Sequence, residues 1–191
     1  MKTKKEIRNT ILSMRRAMDE ETVALASQVI CRKIIGIKEY EEADDVCLYV
    51  PINNEVDVML MADIAVEEGK RVWIPKVVSK GEGHEAGDMV FTRYEGCLED
   101  TIPGAYQIPE SKSQEVLEPS EKTVVIMPGA VFTPWRDRIG YGGGYYDKFL
   151  EKNPQCSTIA ACYDIQIVDE IPVEEFDRKP DYVVSERSIY R

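Results

Sequence analysis

The stretch VCLYVPINNEVDVMLMADIAVEEGKRVWIP, residues 46–75, decides the fold class. Val46 to Val50 is an apolar run closed by Pro51, the pattern of a strand buried on both faces. Val58 to Glu68 carries apolar residues at helical spacing and stops at Gly69, a residue suited to ending a helix. Arg71 to Ile74 is a second strand, ended by Pro75. Strand, helix and strand in that rhythm make a βαβ unit, which demands a parallel pair joined by a right-handed crossover.

The same punctuation extends outward. Upstream, Thr3 and Glu6 form a capping box, and Ile7, Ile11, Met14 and Met18 follow at helical spacing. A second helix opens at Asp19, carries Val23, Ala26, Ile30 and Ile34 on one face and stops at Gly36. Downstream, Ser79 to Asp88 is a glycine- and glutamate-rich hairpin tip, with Met89 to Tyr94 as the returning strand. Glu99 to Ser120 is polar and proline-punctuated, a surface excursion. Thr123 to Met127 is a strand broken by Pro128 and Gly129, a helix runs from Gly144 or Tyr145 to about Lys152, and Thr158 to Cys162 and Tyr182 to Val184 are the last strands. The expected fold is α/β: a three-layer parallel or mixed sheet with helices on both faces, Rossmann-like and open, in one domain spanning residues 1–191.

Composition narrows the function. Hydrophobic residues at 43% and charged residues at 31% are those of a globular chain. A formal charge of −11 leaves no basic field for nucleic acid, so cations for an anionic substrate must be concentrated locally. No apolar run reaches the length of a membrane span, and the start MKTKKEIRNT lacks the apolar core of a signal peptide, so a cytoplasmic chain without a membrane partner is expected. Cys31, Cys47, Cys97, Cys156 and Cys162 have no CxxC spacing and read as small buried hydrophobes under reducing conditions. His84 is the one histidine and reads as a loop residue. Without a GxSxG motif or a second histidine, serine hydrolase schemes lose their base.

In such sheets ligands bind beyond the carboxyl ends of the strands. Three segments should converge there: Pro51 to Glu55, Pro128 to Asp147, and the stretch after Cys162. In the second, Gly140, Gly142, Gly143 and Gly144 let backbone amides turn inward, and the following helix adds the positive end of its dipole, which suits phosphate. Arg136 and Arg138, in the loop before it, offer charge-assisted donors, and Asp147 in the first helical turn can reach a metal bridging phosphates. The motif fails GxGxxG at Tyr145 and lacks the GK[ST] of a P-loop. By composition alone it is equally a flexible surface loop, although Tyr145 and Tyr146 behind the glycines suit a pocket lining.

Arg138-Ile-Gly-Tyr-Gly-Gly-Gly-Tyr-Tyr-Asp147 closely resembles the signature of the 5-formyltetrahydrofolate cyclo-ligase (5,10-methenyltetrahydrofolate synthetase) family. The resemblance covers nearly the whole chain. Lys4-Lys-Glu-Ile-Arg8, Tyr49-Val-Pro-Ile-Asn-Asn-Glu55-Val, Val72-Trp-Ile-Pro75 and Ile171-Pro-Val-Glu-Glu-Phe-Asp177 match its other segments. The family often carries Glu-Pro where this chain has Glu110-Ser111, a loop variation that leaves Glu110 without an assigned role.

The resemblance implies an ATP-dependent ligase that converts 5-formyltetrahydrofolate to 5,10-methenyltetrahydrofolate with Mg²⁺. It implies that Lys4 and Arg8, one helical turn apart, Arg138 and the loop Ile139, Gly140, Tyr141, Gly142, Gly143, Gly144, Tyr145 and Tyr146 hold ATP, with Arg138 catalytic. Val50, Glu55, Tyr141, Gly142, Gly143, Gly144 and Tyr145 would meet the folate, Glu55 as a bidentate acceptor for the pterin. Asp147 and Asp177 would bind Mg²⁺, and Trp135 would wall the pocket or pack. The expected partners are ATP and a reduced folate, including polyglutamylated forms, bound by a monomer. Two other readings stay open: a sugar-phosphate isomerase, which needs no ATP, and a non-catalytic nucleotide- or folate-binding module, which turns none over.

Overall fold

The computed structural model describes residues 3–78, 88–96, 101–105, 108–174 and 177–191. His84, Cys97, most of the segment 79–88 and residues 175–176 of the late motif lie outside them.

Helix α1 is Lys4–Arg16, started by the expected capping box: the Thr3 hydroxyl accepts the Glu6 amide and the Glu6 carboxylate accepts the Thr3 amide at 2.8 Å. Its inner face differs from the expected one, because Ile11 and Arg15 are buried while Met14 is 48% exposed. Helix α2, Glu20–Ile35, is capped by Asp19 and ends at Gly36, burying Ala26, Ile30 and Ile34 as the periodicity requires. A short α3, Lys38–Glu41, leads into β1, Asp45–Cys47. A 3₁₀ turn at Val58–Met61 precedes α4, Ala62–Glu67, so the expected helix over 58–68 is wound in two parts. The remaining elements are β2 Arg71–Val78, β3 Asp88–Tyr94, β4 Thr101–Pro103, β5 Pro109–Ser111, β6 Thr123–Met127, β7 Val131–Phe132, β8 Arg138–Ile139, α5 Tyr145–Lys152, β9 Ser157–Ala161, β10 Tyr182–Val184 and β11 Ile189–Tyr190.

Among the described residues a seven-stranded sheet runs β11-β10-β9-β6-β1-β2-β3. The five central strands are parallel and the two edge strands antiparallel. Alternate residues face opposite layers, as the period-2 geometry demands. Val46, Val72, Ile74, Val124 and Ile126 pack with Ile30 and Ile34 of α2 and Ala65 of α4. Cys47, Trp73, Val125 and Met127 pack with Phe149 and Leu150 of α5, and Phe149 meets Phe91 edge-on at 5.0 Å. The sheet is therefore mixed and covered on both faces. Cys31, Cys47, Cys156 and Cys162 are buried and free. No helix among the described residues is long and apolar enough to cross a membrane.

Two strand boundaries depart from expectation. β1 ends at Cys47, with a last ladder bond from the Leu48 amide to the Trp73 carbonyl at 2.8 Å, after which the chain turns away at Pro51. β2 runs straight through Pro75, which pairs with Phe91 of β3. Trp73 and Pro75 present their backbone groups to the same side, that of β1, where the next parallel bond would run from residue 75 to the Leu48 carbonyl. Pro75 has no donor for it, so the β1–β2 pairing stops there while the β2–β3 pairing goes on.

Asp45 anchors the amino end of β1. It is 2% exposed and accepts the Arg71 Nε and Nη2 donors, each at 2.7 Å, and the Trp73 indole N–H at 2.8 Å. Replacing it orphans a buried indole donor. Asp45→Ala is expected to lower stability by about 2 kcal/mol in urea unfolding followed by circular dichroism. An unchanged midpoint would show that water takes over these bonds.

Candidate active site

A cavity of about 960 Å³ opens beyond the carboxyl ends of β1 and β6, large enough for a drug-sized ligand. Its wall is chemically mixed. Lys4, Arg8, Arg138 and Lys148 supply cations, and Gly140 to Gly144 supply bare backbone. Val50, Ile52, Pro75, Val77, Met89, Ile108, Tyr145 and Tyr146 supply apolar and aromatic surface, and Glu55, Glu110, Asp147, Glu151, Glu174 and Asp177 supply carboxylates. The residues that the resemblance assigns to ATP, folate and metal all line this one cavity, whereas Arg136 does not. Asp177 therefore shares a face with Gly142, although 35 positions separate them in the chain (177 − 142 = 35).

The glycine loop takes its shape from two left-handed residues, Gly142 at φ 102° and Gly144 at φ 67°, the latter just before α5. Gly143 is required for a different reason: a Cβ there would stand 2.5 Å from the Tyr145 ring. The start of α5 has no side-chain cap, and its first turn borders the cavity. The Arg8 guanidinium donates to the Gly140 carbonyl at 3.4 Å, which ties α1 to the loop.

Arg138 belongs to strand β8 rather than to a loop and is 7% exposed. Its guanidinium donates to the Pro128 carbonyl at 3.3 Å and to the Asp147 carboxylate at 2.7 Å, leaving a buried Nε without a partner. Asp177 accepts the Lys4 ammonium at 2.6 Å and the Glu174 amide at 2.7 Å, and Lys4 also pairs with the Glu174 carboxylate. Among the described residues no group of three His, Cys, Asp or Glu side chains forms a cation cage. Mg²⁺ needs none: it keeps several waters and takes one or two carboxylates beside substrate phosphates. Asp147 and Asp177 fit that demand, each already accepting cationic or N–H donors that a polyphosphate would attract.

Glu55 closes the other side. It follows Asn53 and Asn54, at φ 50° and 58°, left-handed conformations that asparagine tolerates. Asn54 is held by its amide donating to the Met18 carbonyl at 3.0 Å. The Glu55 carboxylate is 6% exposed, accepts the Ile52 amide at 2.9 Å and accepts the Tyr141 hydroxyl. Burial pushes its pKa above the ordinary 4.5, against the pull of the Tyr141 and Ile52 bonds and the Arg15 charge. Burial also pushes the phenols of Tyr141 and Tyr146 well up, so both are neutral donors, and the Tyr146 hydroxyl is buried without a partner.

Two expectations fail here. Arg136, at φ 66°, donates to the carbonyls of Pro180 and Asp181 and is not part of the cavity wall; the chain path turns it toward β10. Trp135 neither walls the pocket nor packs, being 71% exposed. Two residues were missed. Arg15 looks like one half of a surface Arg-Arg pair yet is 1% exposed, and nothing in its spacing marks it. Glu110 sits in the polar excursion and is buried beside the cavity, accepting the amides of Val77 and Ala105 at 3.2 Å. Val77 presents that amide to the side of β2 that β1 leaves open, so the carboxylate replaces a missing strand. Only the folded sheet edge reveals that role.

A family model for 5-formyltetrahydrofolate cyclo-ligases matches residues 1–186. The chain is 26% identical to a probable 5-formyltetrahydrofolate cyclo-ligase of Schizosaccharomyces pombe, over 98% of this chain and 97% of that protein. It is 27% identical to the 5-formyltetrahydrofolate cyclo-ligase of Escherichia coli K12, over 94% and 98% respectively. The solution structure of 5,10-methenyltetrahydrofolate synthetase from Aquifex aeolicus superposes with a TM-score of 0.83 at 26% identity, covering 98% of this chain and 92% of that one.

The buried Glu55 has a cost in stability. A carboxylate whose pKa is higher folded than unfolded binds protons more readily in the folded state, so stability falls as pH rises through the interval above 4.5. Glu55→Gln mimics the protonated form and removes that cost. Its melting temperature is expected to equal or exceed the wild type's at neutral pH, and the gain should shrink as pH falls toward 4.5. A variant less stable at neutral pH would show that the Tyr141 and Ile52 bonds outweigh desolvation.

Proposed function

The chain belongs to the 5-formyltetrahydrofolate cyclo-ligase family, and we propose that it is an ATP-dependent ligase converting 5-formyltetrahydrofolate to 5,10-methenyltetrahydrofolate. The observation that carries this reading is the single cavity in which a cationic, glycine-lined wall meets an apolar, aromatic wall holding a buried carboxylate. The first wall suits a polyphosphate and the second a pterin with its aromatic ring. A sugar phosphate alone needs far less apolar surface.

The chemistry asks little covalent work of the protein. A formamide carbon is a poor electrophile and its oxygen a poor leaving group. Attack of the formyl oxygen on the γ-phosphorus of ATP breaks the bond to the β-phosphate bridge and releases ADP, leaving the oxygen phosphorylated and the carbon on N5 activated. N10 then bonds to that carbon, the C–O bond breaks, phosphate departs and N10 loses its proton, giving the N5–CH–N10 bridge. Catalysis is positioning and charge stabilisation.

In this scheme Lys4 and Arg8 meet the phosphates from α1, and the amides of residues 139–144 and the start of α5 donate to their oxygens. Arg138, freed from Asp147 by the incoming charge, neutralises the transferring group. Asp147 and Asp177 would hold Mg²⁺, which when bound offsets phosphate charge. Val50 and Tyr145 flank the folate, while Glu55 accepts hydrogen bonds from the pterin amino group and its ring N–H. Lys148, at the same wall, would meet a glutamate tail. The ligands are thus small molecules; no nucleic acid is involved.

Mixing the protein with 5-formyltetrahydrofolate, ATP and Mg²⁺ should raise methenyl absorbance and release ADP and phosphate, with none formed when ATP or metal is omitted. Product without ATP, or no product with it, would reject the ligase and leave an isomerase or a binding module. Arg138→Ala should lower kcat/KM by about 10²-fold, the scale of losing one transition-state donor. Because Arg138 is buried in β8, circular dichroism must show the variant folded. Near-normal turnover would reduce Arg138 to a structural bond with Pro128.

A further inference from the structure

We propose that Arg15 is a positioning residue for Glu55, holding that carboxylate charged and aimed into the cavity through the hydroxyl of Tyr141. The proposal deepens the reading of Glu55 as the pterin's partner and rests on it.

Arg15 lies on α1, is 1% exposed and is not part of the cavity wall, so it can act on a ligand only through other groups. A buried guanidinium is costly unless its donors are matched. Its Nε donates to the Asn53 carbonyl at 3.2 Å, which fixes the plane of the group against the turn carrying Glu55. Its Nη1 donates to the Tyr141 hydroxyl at 2.6 Å and stands 3.9 Å from the Glu55 carboxylate. With one lone pair of the phenol engaged by Arg15, the phenol proton is directed at Glu55. Arginine, phenol and carboxylate thus form one chain of donors.

The surroundings of Glu55 make that charge decisive. Tyr141 from the glycine loop, Tyr49 after β1, Tyr146 from α5 and Tyr163 after β9 face it, and burial keeps all four phenols protonated. Tyr163 bonds the Glu55 carbonyl at 3.0 Å, and Tyr49 bonds the Val56 carbonyl at 2.9 Å. Among the described residues Arg15 is the one cation within ion-pair distance of Glu55. Removing it leaves a buried carboxylate with neutral donors only, and an opposite charge at this range shifts a carboxyl by about one unit or more.

The test reads Glu55 directly. In protein carrying carboxyl-¹³C glutamate, the Glu55 signal is identified by its loss in Glu55→Gln, and its titration midpoint is measured without any substrate. Arg15→Met keeps the side-chain bulk and removes the charge; its midpoint should rise by about one unit. Arg15→Lys should restore most of the wild-type value, and Tyr141→Phe, which removes the hydrogen bond that Arg15 supports, should raise the midpoint by at least as large a step. In turnover, the acid limb of kcat/KM for 5-formyltetrahydrofolate should move up with the midpoint in Arg15→Met, while KM for ATP stays within about twofold. An unmoved midpoint overturns the proposal, and Tyr141→Phe decides it should Arg15→Met fail to fold. A midpoint that moves without the acid limb overturns it too, since the charge on Glu55 would then be idle. Absence of methenyl formation by the wild type would instead reject the proposed function, while the carboxyl titration still shows whether Arg15 controls Glu55.

Discussion

The buried contact among Arg15, Tyr141 and Glu55 is the joint on which the cavity depends. Each residue comes from a different part of the chain: helix α1, the glycine loop and the turn after β1. The turn and the loop have no strand ladder of their own to hold them in place there. The turn has two left-handed asparagines, and the loop has two left-handed glycines. A charged pair taken out of water must be satisfied or it unfolds the site, so its geometry is narrow where the surrounding backbone is permissive. That narrowness gives the loop one position relative to the carboxylate.

The space for a ligand has a simpler origin. β1 contributes three residues to the sheet and β6 five, whereas β2 runs for eight. Beyond Cys47 the side of β2 once covered by β1 is open, and the chain deals with each exposed backbone group separately. Pro75 has no donor to lose, and the Val77 amide goes to Glu110. Gly104 allows that arrangement, because a Cβ there would overlap the Glu110 side chain at 2.2 Å. The cavity is the volume left by a strand that stops early.

Charge is distributed to match. A chain with a formal charge of −11 gathers Lys4, Arg8, Arg138 and Lys148 on one wall. Lys4 and Arg138 are held by Asp177 and Asp147, the carboxylates expected to meet a cation. An arriving polyphosphate and its metal would exchange those internal pairs for new ones of the same type. Such an exchange swaps partners without first desolvating fresh charges, which keeps the reorganisation small.

The sequence by itself determined the class of fold and most of the cavity wall. Continuous apolar runs, helical stretches bounded by Thr3, Asp19 and Gly36, and the glycine–tyrosine loop are local signals whose physics acts within a few residues. Hence Arg138 and Asp147 were legible from the loop itself, while Lys4, Arg8, Glu55 and Asp177 were picked out only by the family resemblance. Only the tertiary structure decided where strands stop, since β1 ends at Cys47 although β2 and β6 both run on, and Pro75 is tolerated inside β2 because its missing donor faces the side that β1 leaves. It also decided which polar residues are interior. Arg15 and Arg136 look alike in the chain, yet one is sealed against Tyr141 and the other bonds carbonyls near β10. Glu110 looked like part of a polar excursion and serves as the partner of an orphaned strand amide. Burial of a charged group depends on a partner distant in sequence, and no local pattern encodes that partner.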